Sequence, residues 1–314
     1  MKENSFSGVL VLDKPEGLTS TSALEKVKKL LKVKKAGHGG TLDPIATGVL
    51  PILIGEATKM AQIFLEGDKI YEGKLLLGIT TSTYDITGEV IKKLEVPEFT
   101  LETLQELAKS LEGTLEQVPP PFSAVKFKGR PLYKYARNGL FISKEPKKVK
   151  IYEFKIKSLE KDKVSFYLHC SKGTYVRSLI HELGERLECG AVLLNLRRLK
   201  KSSFHIEQAL TLEELEQRVK DNSWTQFLIS IPKALEFLPK VIISEEFSKK
   251  VREGKPLYTS SFLSLMKFQK LTLSSTERWI RLLSTKGDLV AIIENPLLTS
   301  PSKPFIAYFK VFKN

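Results

Sequence analysis

Apolar residues along this chain recur in two periods, and each change of period marks an element. Residues 8–13, GVLVLD, form an unbroken apolar run closing on KPEG, the pattern of a short buried strand and a turn. In TSTSALEKVKKLLKVKK, Leu24, Val27, Leu30 and Leu31 fall at helical spacing behind Ser/Thr capping residues, with lysines on the opposite face. A continuous apolar segment between Gly48 and Gly55 predicts a fully buried strand at 49–54. YEGKLLLGITTSTYD and GEVIKKLEV alternate as strands flanking a loop, and Thr100 to Leu111 forms an amphipathic helix stopped at Gly113. After the proline-rich turn VPPPFSAVKFKGR, residues 147–160 and 163–171 alternate as two strands. GTYVRSLIHELGERL predicts a helix with Val176, Leu179, Ile180, Leu183 and Leu187 on one face. Thr211 and Glu214 form a capping box for another.

The pattern changes at IPKALEFLPK, residues 231–240, where two prolines bracket a boundary. Beyond it, VIIS, LTLSS, WIRLLST, LVAIIE and FIAYFKVF are short β runs with few helix signals, which predicts a small β domain. A chain of 314 residues is long for one core, so a large domain followed by a small one is the expected organisation. No apolar run reaches the roughly 18 residues of a membrane helix, and the first residues are too weakly apolar for a signal peptide, so a cytoplasmic protein without membrane association is expected. Cys170 and Cys189 are too few for a disulfide framework and read as small buried side chains. His169 and Cys170, neighbours on a strand, point to opposite faces, and HELGE lacks the second His of a metalloprotease motif, so no metal is expected.

Charge narrows the function classes. Lys and Arg number 50 against 36 acids, a net charge of +14. The excess is concentrated: nine Lys/Arg against the single acid Glu145 lie between Lys126 and Lys150, interleaved with Phe127, Tyr133, Tyr135 and Phe141. Cations for phosphates and rings for bases read as an RNA-contacting arm at 124–150.

The candidate chemistry sits in GHGGTLDPIATGVLPILIGEATK, which sets Asp43 and its following proline on a glycine-rich loop leading into the buried strand. By residue type alone the stretch is ambiguous: it lacks the P-loop GK[ST] and the dinucleotide GxGxxG, and the chain has no GxSxG elbow. A loop Asp before Pro is as often a turn as an aimed carboxylate.

This stretch resembles the signature of the tRNA pseudouridine-55 synthase branch of the pseudouridine synthases, the TruB family. The resemblance extends in order through VLDKPEGLTS, KIYEGKLLLGITTSTYDITGE, PPPFSAVKFKGRPLYKYAR, CSKGTYVRSLIHELGE and NLRRLKKSSF, covering roughly the first 235 residues. It implies an α+β catalytic domain with a mixed, largely antiparallel sheet over residues 1–235, followed by a small, barrel-like β domain at 238–314 of the PUA type that binds RNA. It implies isomerisation of one T-loop uridine of tRNA, at position 55, to pseudouridine. The enzyme would act as a monomer, with no cofactor, metal or protein partner.

By the same resemblance, Asp43 is the nucleophile and Arg177 pairs with it. Tyr71 stacks on the target base and is a candidate proton shuttle near C5, and Tyr175 packs on the other side. His38 intrudes into the RNA loop, and Leu196 walls the pocket. Lys14, Lys59 and Arg197 are phosphate or scaffold contacts, while Lys126, Lys128 and Arg130 contact phosphates from the arm. Three rival readings are a catalytically idle RNA-binding or RNA-folding protein, a relative that modifies other RNAs under a guide RNA, and a nucleosidase that releases uracil.

Overall fold

The computed structural model describes residues 6–271, 277–298 and 304–312. The chain divides into two units, Leu10–Phe227 on one hand and Met1–Val9 with Leu228–Asn314 on the other.

The larger unit is built on a nine-stranded sheet. Its main path runs Gly8–Lys14, Ala46–Ile54, Ala191–Lys201, Lys69–Leu77, Lys163–Cys170, Lys147–Glu160 and Gly113–Gln117. Ala46–Ile54 pairs with Ala191–Lys201 in parallel, and every later pair on this path is antiparallel. The sheet is therefore mixed and largely antiparallel, as the sequence implies. Ala46–Ile54 is buried along almost its whole length, which its unbroken apolar run requires, whereas Lys147–Glu160 and Lys163–Cys170 alternate.

Local signals place the helices. Thr19 caps Ser20–Leu31 by accepting from the Ser22 backbone, and Ala23, Leu24, Val27 and Leu31 are buried. Thr100 caps Leu101–Ser110 in the same way. Val176–Arg186 buries Val176, Leu179, Ile180 and Leu183, and the capping box at Thr211 opens Leu212–Lys220.

The hydrophobic pattern does not announce Ala191–Lys201, yet this strand lies third on the path, between Ala46–Ile54 and Lys69–Leu77. Its register against Lys69–Leu77 slips twice, once between Leu193 and Asn195 and again between Arg198 and Lys200. The second slip is decisive, because an inserted residue re-aims the side chains that follow it. Arg198 and Lys201, three residues apart, are thereby both buried. Gly48 makes the parallel pairing possible. Its φ is +99°, and a Cβ there would stand 2.3 Å from the Arg198 carbonyl oxygen.

The smaller unit holds a four-stranded sheet in the order Lys240–Ile243, Trp279–Ser284, Leu289–Glu294 and Tyr308–Val311, with the first pair parallel. Two helices, Glu245–Arg252 and Thr259–Phe268, contribute Val251, Phe262 and Met266 to its core. The expectation of few helices here is corrected: the unit is mixed α/β, and its described strands form no closed barrel. Beyond Leu271, the run LTLSS lies outside the described residues. No helix among the described residues is long and apolar enough to cross a membrane.

Candidate active site

Asp43 stands on the loop between Ala36–His38 and Ala46–Ile54, and its neighbours pin that loop from several directions. Leu42 donates its backbone N–H to Ser20 Oγ at 2.8 Å, and the same hydroxyl donates to the Leu42 carbonyl at 3.0 Å. The Pro44 carbonyl accepts from the Gly17 N–H at 2.8 Å. Lys14 Nζ bonds the carbonyls of Pro15 and Leu18, both at 2.7 Å, and reaches that of Pro44 at 3.4 Å. Lys14 is fully buried, and burial lowers its pKa to about 8 against the opposing pull of Asp43. Of the phosphate and scaffold alternatives, its position is that of scaffold.

Arg177, in the first turn of Val176–Arg186, donates through Nε to Asp43 Oδ2 at 2.9 Å. Its other nitrogens donate to the carbonyls of Thr83 at 2.8 Å and Phe122 at 2.9 Å, and Nη1 lies 3.5 Å from Asp85 Oδ2. Arg177 and Asp85 are both buried, while the Asp43 side chain is 40% exposed. One carboxylate oxygen of Asp43 is thus held by a guanidinium. The other, Oδ1, accepts no hydrogen bond among the described residues and is available for chemistry.

A cavity of about 310 Å³ opens beside Asp43. Tyr71, Tyr175, Arg177 and Leu196 line it, together with Lys69 and Lys201. Tyr71 is buried, and burial pushes its phenol up to about 12 although the Arg198 guanidinium at its hydroxyl pulls the other way. Tyr175 is the N-cap residue of its helix, and a reciprocal pair of hydrogen bonds with the Gln117 amide fixes it. Burial raises its phenol too.

Behind the cavity, Arg198 donates to the carbonyls of Val49 at 2.8 Å, Thr41 at 3.0 Å and Gly40 at 3.4 Å, tying the Asp43 loop to the sheet. Lys201 Nζ bonds the carbonyls of Gly67 at 2.6 Å and Leu65 at 3.2 Å, and burial drives its pKa down to about 6.

The sequence alone does not single out Lys69, Asp85, Arg198 or Lys201. A signal for the last two lies in NLRRLKK, where cations interrupt an apolar run. The residue that this motif suggests, Arg197, lies outside the cavity lining and forks onto Asp13 at 2.6 and 3.1 Å. Lys59 is exposed on the turn Gly55–Met60 and pairs with Glu56 at 2.5 Å, also away from the cavity. His38 does not line it either. Burial lowers the pKa of His38, and its Nδ1 has no partner among the described residues. Lys126, Lys128 and Arg130 are exposed on a small hairpin, with the Lys128 ammonium 5.6 Å from the Phe127 ring centre. No cluster of metal-ligating side chains occurs among the described residues.

Comparison with known proteins gives the geometry a family. Residues 28–176 match the N-terminal domain of the TruB family pseudouridylate synthases. Residues 177–236 match the C-terminal domain of tRNA pseudouridylate synthase B. The tRNA pseudouridine synthase B of Clostridium kluyveri is 43% identical over 82% of this chain and 88% of its own length. That of Solibacter usitatus is 40% identical over 92% of this chain and 96% of its own. Among solved structures, a chain of a Cbf5-Nop10-Gar1 complex superposes with a TM-score of 0.72 at 28% identity, covering 98% of this chain and 85% of that one. With family domains matched over residues 28–236 and relatives this similar across most of its length, the chain belongs to the TruB family of pseudouridylate synthases.

Proposed function

We propose that this protein isomerises a uridine of tRNA to pseudouridine and that its target is the T-loop uridine at position 55. The observation that carries the reading is Asp43, with Oδ2 held by Arg177 and Oδ1 open to a cavity walled by Tyr71 and Leu196. The reaction breaks the N1–C1′ bond, forms C5–C1′, removes the C5 proton and returns one to N1. Nothing is oxidised and no group is added, so the chain's own side chains meet its requirements without a cofactor.

A cavity of about 310 Å³ suits a single flipped base rather than a duplex. Asp43 Oδ1 is the nucleophile, whether it adds at C6 of the base or at C1′ of the sugar. Arg177 orients it, and Asp85 in turn positions Arg177. Tyr71 stacks on the base. Its phenol is protonated at neutral pH, so it takes the C5 proton only as it gives its own to N1 of the base, with Arg198 holding the transient phenolate between the two transfers. Tyr175 and Leu196 pack beside the base, and His38 takes its place in the RNA loop.

Residues 1–235 form the catalytic domain in this reading, Lys126, Lys128 and Arg130 on the arm at 124–150 grip the phosphates of the T stem-loop, and residues 238–314 act as a PUA-like RNA-binding domain. The protein works as a cytoplasmic monomer. Relatives at 40–43% identity named tRNA pseudouridine synthase B favour tRNA over guide-directed RNA, since the chains from H/ACA assemblies are 25–26% identical. The test is unmodified tRNA tritiated at C5 of uridine. Tritium release that disappears when position 55 is cytidine is expected, and no release above background overturns the reading.

A further inference from the structure

Five basic side chains among the described residues stand in or behind the cavity, and four of them are spoken for. Arg177 holds Asp43, and Arg198, Lys14 and Lys201 bond backbone carbonyls. Lys69 differs. It lines the cavity two residues before Tyr71 on the same strand, and hence on the same face. Its ammonium makes no hydrogen bond or ion pair among the described residues.

Its surroundings do not neutralise it. Cys170, directly opposite in register, is a thiol pushed up to about 11 by burial, and so uncharged. The Asp68 carboxylate next to it is engaged by the Tyr152 hydroxyl at 3.3 Å and lies 3.9 Å from His169. Arg198 repels it. A partly desolvated ammonium without an acceptor is costly. One that lines an active-site cavity is arranged for an acceptor arriving with the substrate.

The chemistry supplies that acceptor. When C1′–N1 breaks heterolytically, the electron pair stays on the uracil and spreads over N1, O2 and O4. The base then turns, its C5 pair bonds C1′, the C5 proton departs and N1 gains one. Charge on the detached base is greatest between the two bond changes. Building on the function proposed above, we propose that Lys69 is a catalytic residue whose ammonium hydrogen-bonds a carbonyl oxygen of the flipped uracil and compensates the charge gathering there. Lys69 keeps its proton throughout, acting as a preorganised donor to a developing oxyanion.

Burial lowers the Lys69 pKa to about 8, opposed by Cys170 and Asp68 and reinforced by Arg198. Its charged form is therefore lost as the pH rises past 8, whereas an arginine there stays charged. The experiment measures single-turnover tritium release and tRNA affinity for wild type, K69M and K69R between pH 6 and 9.5. K69M should lose on the order of 10²–10³ in rate with its affinity intact. K69R should recover rate and carry the alkaline decline to higher pH. If K69M fails to fold, that shift in the K69R profile decides by itself. A K69M rate within a few-fold of wild type overturns the proposal. So does a loss confined to affinity with the salt slope shallower by about 0.7, which would make Lys69 a phosphate contact. Wild type that releases no tritium refutes the function itself; wild type that turns over beside an indifferent K69M refutes only Lys69.

Discussion

Replacing Arg177 with Met removes the charge while keeping much of the side-chain volume, and the structure sets what that should cost. The guanidinium is 5% exposed and the Asp85 carboxylate beside it 7% exposed, so the substitution strands a buried anion. Breaking a buried pair from one side costs about 3–5 kcal/mol. Asp85 keeps the Thr83 hydroxyl at 2.8 Å and the Thr87 backbone N–H and hydroxyl at 3.0 and 2.6 Å, which pulls the cost to the lower end. The carbonyls of Thr83 and Phe122 also lose donors, at about 1 kcal/mol each. Asp43 contributes little, since its side chain is 40% exposed and solvent screens it. We expect R177M to cost about 5 kcal/mol and D43N under about 1 kcal/mol. Adding D85N to R177M should recover roughly half the loss, because it removes the stranded charge. Of the two tryptophans, Trp224 lies in the same unit as Arg177 and Trp279 in the other. Urea unfolding followed by Trp224 fluorescence in a W279F background therefore reports on the relevant unit. A cost for R177M below about 1 kcal/mol, or no recovery in R177M/D85N, would refute the reasoning.

Other expectations concern the site and the arm. D43N should bind tRNA as wild type does while its turnover falls below about a thousandth, and residual activity above that level removes Asp43 as nucleophile. Y71F should keep the stacking face, form the protein–RNA adduct and stall, so near-wild-type single turnover would leave stacking as the ring's whole role. Replacing Lys126, Lys128 and Arg130 with Ala should flatten the salt dependence of tRNA affinity by roughly 0.7 for each phosphate no longer neutralised; an unchanged slope and affinity would return the arm to bulk solvent. Lys201 has a folded-state pKa of about 6 against 10.5, so its contribution is present above pH 10.5 and lost as the pH falls toward 6. Melting temperatures between pH 6 and 9 should therefore rise more steeply in wild type than in K201M, and parallel curves would count against a desolvated Lys201.

How much of this was legible in the sequence depended on whether a residue behaves as its type usually does. Ser20–Leu31, Lys147–Glu160 and Val176–Arg186 follow from apolar periodicity because their buried faces are mainly apolar. Ala191–Lys201 escaped because it buries Arg198 and Lys201, and charged residues read as solvent-facing unless their partners are known. Those partners are backbone carbonyls from residues 40–67, which no local pattern announces. The register slip that aims both cations inward is likewise a property of two strands together. Asp43, Tyr71 and Arg177 were reached through family motifs, whereas Lys69 was hidden as one more lysine in an alternating strand. In the smaller unit, Glu245–Arg252 is short and offers only Phe247 and Val251 as apolar positions, too few for a helical period to register, and Thr259–Phe268 is rich in Ser and Phe, whose helix propensity is weaker.

The late position of Ala191–Lys201 in the chain has a bearing on biosynthesis. A ribosome delivers Gly8–Lys14 and Ala46–Ile54 early, and Lys69–Leu77 soon after, but the strand that joins the last two emerges more than a hundred residues later. Until then both flanking strands present open edges, the exposure that invites pairing with other chains. Leu196, Arg198 and Lys201 arrive with the joining strand, so the cavity beside Asp43 has neither wall nor backing before it inserts. A nascent chain stalled short of residue 191 would be a pair of half-sheets without a site, prone to aggregation and unable to act on the tRNAs around it.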